Sequence, residues 1–157
     1  MAFRPTITRA RATLALLALV TVLGACAGGP RLRPMTAHEC MTRVMYFESN
    51  RSSEEGMIAV GTVVMNRLES GRYPKTVCGV VGQKNQFAPG VLTRSMEKGK
   101  DLASRTATKV LNGARHRNVE KAMFFHTAGM TFPYTNMHYL VEAGGNVFYE
   151  KRKNARR

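Results

Sequence analysis

Acidic residues are scarce in this 157-residue chain: ten Asp and Glu stand against 24 Lys and Arg, a formal charge of +14. Any chemistry that needs carboxylates must draw on that small pool. Tryptophan is absent and there are only three cysteines. The four histidines, at 38, 116, 126 and 138, show neither an HExxH pattern nor paired spacing, which sets a zinc centre aside. No G-x-S-x-G elbow supports a serine nucleophile, and no Gly-rich phosphate loop or internal repeat is present. The longest apolar run near the N-terminus, residues 13–23, is shorter than the roughly 20 residues a membrane-spanning helix needs. No metal and no cofactor are expected.

That N-terminal segment reads as an address. Arg4, Arg9 and Arg11 form a basic start, the apolar run follows, and Leu23-Gly24-Ala25-Cys26 looks like a bacterial lipobox. On this reading residues 1–25 are a lipoprotein signal peptide and Cys26 carries the lipid. Residues 26–35 are then a tether, flexible at Gly28-Gly29 and stiffer at Pro30 and Pro34. Ala27 after the cysteine favours the outer membrane, by similarity to Gram-negative lipoproteins; an ordinary signal peptide and a soluble periplasmic protein are the alternative. Residues 1–25 hold three of the basic residues and no acid, so the remaining 132 residues keep a charge of +11. Such an exported cation suits an anionic envelope polymer or an anionic membrane surface, and export argues against nucleic acid. The run 151–157 is a basic tail. With Cys26 on lipid, Cys40 and Cys78 remain as an even pair in an oxidising compartment, where a disulfide is favoured over two buried thiols.

Thr36-Ala37-His38-Glu39 is a capping box and predicts a helix over residues 37–48, with Met41, Val44 and Met45 on its apolar stripe. Ser53 followed by Glu54 and Glu55 predicts a second helix running to about Glu69. That helix is apolar almost all round, so it is central and buried, and Gly61 is expected to admit another backbone. Residues 76–81 form a short apolar segment and 82–91 a loop. A third helix is expected from Thr93 or Ser104 to Leu111, with Gly99 a possible break. Residues 122–126 and 146–149 read as strands. The class is helix-rich α+β with a small antiparallel sheet.

Among the ten acids, Glu48 stands apart. It follows Tyr46 and Phe47 at the end of an apolar helix, where loss of water raises a carboxyl pKa toward the range of a general acid. A solvent-facing Glu at a helix end is the plainer reading of the same spacing.

The motifs Tyr46-Phe47-Glu48, Glu55-Gly56, Val64-Met65-Asn66-Arg67, Tyr73-Pro74-Lys75-Thr76-Val77-Cys78-Gly79, Gln86-Phe87, Phe124-Phe125-His126 and Gly145-Asn146-Val147-Phe148-Tyr149 occur in this order. Together they resemble the spore-cortex-lytic (SleB-like) cell-wall hydrolase family over roughly residues 39–150, within a hydrolase domain placed at residues 36–150. The resemblance implies a lysozyme-like, lytic-transglycosylase-type fold and an enzyme acting on peptidoglycan glycan strands, with the catalytic acid at Glu48. Tyr46, Gln86, Phe87, His126 and Tyr149 are candidate substrate-binding residues, and Asn66 and Arg67 are read as capping and bracing the second helix. The chain departs from the pattern at Ser49-Asn50-Arg51-Ser52, where the family usually reads Ala-Arg-Gly-Glu, and Ala88-Pro89-Gly90 replaces an aromatic-rich segment. With no Trp, sugar-stacking subsites are expected to be reduced. A single acid suits lytic transglycosylation, since two-carboxylate glycosidases need a second Asp or Glu. The alternative is a catalytically weak peptidoglycan-binding envelope lipoprotein. The protein is expected to be a monomer.

Overall fold

A computed structural model describes residues 33–51 and 53–153. The segment read as a signal peptide, Cys26, most of the residues read as a tether, Ser52 and the last four residues lie outside the described residues. Contacts divide the chain after Pro34, and every element below belongs to the unit Met35–Arg157.

Helix α1 spans Ala37–Glu48 and opens with the expected capping box, Thr36 and Glu39 each satisfying the other's backbone amide. Helix α2 spans Glu54–Glu69, with the Ser53 hydroxyl accepting from the Gly56 amide. Caps of this kind contribute about 1 kcal/mol each. A buried Val or Met contributes about 1.5–3 kcal/mol, so the interior decides the packing. Met41, Val44 and Met45 of α1 and Met57, Val60, Val63 and Val64 of α2 are fully buried. Helix α3, Val77–Val81, is a single turn capped by Thr76. A disulfide joins Cys40 on α1 to Cys78 on α3. Helix α4, Lys100–Leu111, buries Ala103, Ala107 and Val110 against α1 and α2. It begins after Gly99, whose φ of 94° lies outside helical geometry. Residues 93–99 are therefore turns and irregular chain, and the helix starts at Lys100, between the two expected starts at Thr93 and Ser104. Gly61 also departs from expectation. A Cβ there would meet side-chain atoms of Met45 and Val110, so side chains, not a second backbone, fill its space.

The sheet has three antiparallel strands, β1 (Phe124–Thr127), β2 (Met137–Ala143) and β3 (Asn146–Lys151), in the order β1-β3-β2. The motif pattern did not reveal β2. Its register shifts between Tyr139 and Val141, which breaks the period-2 alternation that marks a strand. Gly144 and Gly145, both with positive φ, make the two-residue turn between β2 and β3. This turn locks the sheet to the helices. The Asn50 amide donates to Gly144 O at 3.1 Å. A Cβ on Gly56 would lie 2.5 Å from the Gly144 Cα. Two backbones in contact cannot swing aside as a side chain can. Gly56→Ala is therefore expected to cost about 3 kcal/mol, read as a lowered denaturant midpoint. Gly61→Ala, which displaces only the flexible end of Met45 and methyls of Val110, should cost about 1 kcal/mol. Equal losses at the two sites would refute the backbone lock.

Candidate active site

Glu48 is the last residue of α1. Its own carbonyl oxygen accepts from Asn146 Nδ2 at 2.6 Å, which fixes the end of α1 to the start of β3. Its Oε1 accepts from the Ala88 amide in the loop after α3. Burial pushes the Glu48 carboxyl above the usual carboxylate range, against the downward pull of the Ala88 amide and the Arg67 guanidinium. The acid thus holds its proton more tightly than a solvated Glu while one oxygen stays fixed.

The loop that supplies Ala88 is held by α1 itself. Arg43 donates to Val91 O at 2.9 Å and also to Arg94 O. The Glu97 amide donates to the Tyr46 hydroxyl at 2.9 Å, and the Arg94 guanidinium sits 4.7 Å from the Phe47 ring centre. Glu48 and the loop opposite it are therefore set by one short stretch of helix.

A cleft of about 440 Å³ opens beside Glu48, with Phe47, Arg67, Gln86, Phe87, His126 and Asn146 among its walls. Among the described residues lining it, Glu48 is the only carboxylate. A second hollow of about 450 Å³ lies within residues 81–93 and carries no acid, and another of about 320 Å³ is lined by Glu150 together with Arg72, Lys121 and Lys151. Among the described residues, no three His, Cys, Asp or Glu side chains gather as a metal would require.

The structure brings Glu48, Gln86, Phe87 and His126 together on this cleft. Tyr46 and Tyr149 lie off its walls. The Tyr46 ring is buried and its hydroxyl holds the Glu97 amide. Tyr149 lies beside the cleft residue His126, with ring centres 5.7 Å apart, and packs 5.6 Å from the Phe124 ring and 5.7 Å from Tyr139; burial raises its pKa. Residues two apart on a helix point to nearly opposite sides, so closeness in sequence to Glu48 did not carry the Tyr46 ring into the cleft.

Arg67 departs from its expected role. It is buried in the middle of the domain, not free to cap α2. Its Nε donates to Met123 O at 2.8 Å, and its guanidinium lies 5.0 Å from Phe87, 5.3 Å from Tyr73 and 5.9 Å from Phe124. Its buried Nη1 has no hydrogen-bond partner. Burial lowers its pKa, while Tyr73, Tyr149 and Glu48 raise it. Asn66 likewise reaches away from α2, donating at 2.8 Å to both Glu120 O and Ala122 O. The pair ties α2 to the segment entering β1 and sets a cation beside the cleft.

Comparison with known proteins agrees with this architecture. The sequence profile of a family described as Cell Wall Hydrolase matches residues 51–149, beginning three residues after Glu48. A spore cortex-lytic enzyme of Oceanobacillus iheyensis is 29% identical over 75 residues, covering 48% of this chain and 27% of that protein. The chain thus matches about a quarter of that relative's length. Two solved structures share the fold: the catalytic domain of the germination-specific lytic transglycosylase SleB from Bacillus anthracis and that of the Bacillus cereus SleB protein. Each superposes with a TM-score of 0.60 at 22% identity, covering 78% of this chain and all of the solved chain. The helix-rich α+β, lysozyme-like architecture expected from the motifs is the one observed. With the family profile matched over most of the described domain, this chain belongs to the cell wall hydrolase family.

Proposed function

We propose that this protein cleaves the glycan strands of peptidoglycan at the bond between N-acetylmuramic acid and N-acetylglucosamine, as a lytic transglycosylase in which Glu48 is both acid and base. The observation that carries this reading is a carboxyl group of raised pKa, alone in its cleft and held by one amide. Family membership and the fold shared with a protein titled a lytic transglycosylase support it. Glu48 gives its proton to the bridging oxygen as the bond from that oxygen to the anomeric carbon of the muramic sugar breaks. The carboxylate then takes the proton of that sugar's 6-hydroxyl as its oxygen attacks the same carbon. A 1,6-anhydro ring forms, no water is consumed, and Glu48 returns to its starting state. Arg67 stabilises the carboxylate phase of the cycle. Gln86, Phe87 and His126 supply the polar and apolar walls that hold the sugars.

The remaining placements belong to the same proposal. The lipobox-like segment supports a lipid on Cys26, with residues 36–150 tethered at the periplasmic face of the outer membrane as a monomer. The basic surface suits the carboxylates of peptidoglycan stem peptides. Among the described residues no helix is long and apolar enough to cross a membrane.

Mass spectrometry of soluble products from purified sacculi tests the chemistry. Anhydro-muropeptides are expected from residues 27–157. Reducing-end products would overturn the cyclisation and make the protein a hydrolase. Bound but uncut sacculi would favour the binding-lipoprotein alternative.

A further inference from the structure

Among the described residues, the large apolar side chains that are most exposed all fall within one short stretch: Met130 at 52%, Phe132 at 37%, Tyr134 at 64% and Tyr139 at 47%. Met130 and Phe132 lie in the loop between β1 and β2, and both line the cleft that holds Glu48. Beyond the cleft the rings continue. Phe132 stands edge-on to His126 at 4.8 Å and runs nearly parallel to Tyr134, at 15° and 6.3 Å. His126 in turn meets Tyr139 at 5.6 Å, with its Nε2 3.4 Å from the Tyr139 hydroxyl. The result is an aromatic ramp that begins at the cleft wall and ends on the outer face of the sheet.

We infer that this ramp, Phe132-Tyr134-Tyr139, is a binding site for the part of a glycan strand that extends out of the cleft. The inference rests on the proposed function and deepens it. A cleft of about 440 Å³ is the size of a small-molecule site. A polymer threaded past Glu48 must therefore leave it over a neighbouring surface. The ramp is continuous with the cleft through Phe132 and His126, and its chemistry fits sugar. Ring faces offer apolar area to the C–H faces of a pyranose, while Tyr hydroxyls and the imidazole offer hydrogen bonds at the rims. A purely apolar occupant would leave those polar edges unmatched. Lys151, 4.7 Å from the Phe124 ring, adds to the same sheet a cation of the sign that attracts a stem-peptide carboxylate. The sugar-stacking surface expected to be reduced for want of tryptophan is thus supplied by phenylalanine and tyrosine from a different segment.

The test compares full-length wild type, Tyr134→Ala/Tyr139→Ala at the two ramp rings that lie off the cleft walls, the conservative pair Tyr134→Phe/Tyr139→Phe, and Glu48→Gln. Cleavage is measured on long glycan strands and on short soluble muropeptide oligomers that fill only the cleft. The alanine pair is expected to lose about tenfold in kcat/KM on long strands, carried by KM, since two stacked rings contribute roughly 0.5–1.5 kcal/mol each. It should lose less than about twofold on the short oligomers, and the conservative pair should restore both. Equal losses on both substrates, or none on either, would overturn the inference. Pelleting with sacculi separates this from failure of the cleavage proposal. Glu48→Gln should bind as wild type does and the alanine pair about tenfold more weakly, whether or not wild type cuts. A ramp whose loss abolishes self-association, or binding to phosphatidylglycerol vesicles, while sacculus binding is unchanged would belong to a second copy or to a membrane.

Discussion

Glu48→Gln is expected to reduce glycan cleavage by about 10²–10⁴-fold, the usual contribution of a positioned general acid. Gln preserves the shape of the side chain, and its carbonyl oxygen still accepts from the Ala88 amide, but it has no acidic proton to give. The loss should fall on kcat, because sugars are bound by walls that the substitution leaves alone. The raised pKa fixes the direction of two further measurements. The wild-type rate should fall on the alkaline side as the acid loses its proton, at a pH above the ordinary carboxylate range. Stability should follow the same proton. A group whose pKa is raised on folding contributes most below its unfolded pKa, and that contribution is lost as pH rises through the folded value. Glu48→Gln has no such dependence, so it should match wild type in acid and melt higher than wild type near neutrality. An inactive variant with a raised melting temperature excludes unfolding as the cause. A variant as active as wild type would remove Glu48 from the chemistry altogether.

The first two helices were legible to within a residue because their signals are local. Thr36 with Glu39 and Ser53 with Gly56 mark where each helix begins, and the apolar pattern marks its face. Elements that depend on distant partners were not legible. Helix α3 is a run of β-branched valines around Gly79, which reads as anything but helix. It is stable because Val77, Val80 and Val81 enter the core and Cys78 is bonded to α1. Strand β2 carries its apolar residues out of step because of the irregularity after Tyr139. The candidate site divides along the same line. Glu48 was visible from its place at the end of an apolar helix. Arg67 was not, because the rings of Tyr73, Phe87 and Phe124 that surround it come from three separate segments. Asn146 owes its role to the glycine turn that delivers it under α1, a contact spanning almost the whole domain.

Removal of the Cys40–Cys78 bridge, as Cys40→Ala/Cys78→Ala, is expected to cost about 4 kcal/mol, the loop-closure entropy for a link at this sequence separation of 38 residues. For a domain of this size that is roughly a 10–20 °C fall in melting temperature. Reductant should lower wild type to the level of the double variant and leave the variant unchanged. A wild-type melt insensitive to reductant would mean that the bridge contributes nothing. The effect should reach the acid as well. A five-residue helix has little stability of its own, and α3 leads directly into the loop that presents Ala88 to Glu48. Loosening α3 gives water access to the carboxyl group, and its pKa should drift back toward the ordinary range. The double variant, assayed well below its melting temperature, should therefore retain activity in acid and lose it at a lower pH than wild type. Glu48→Gln, by contrast, should be inactive across the whole range. That difference separates a bond that holds the site in shape from the group that performs its chemistry.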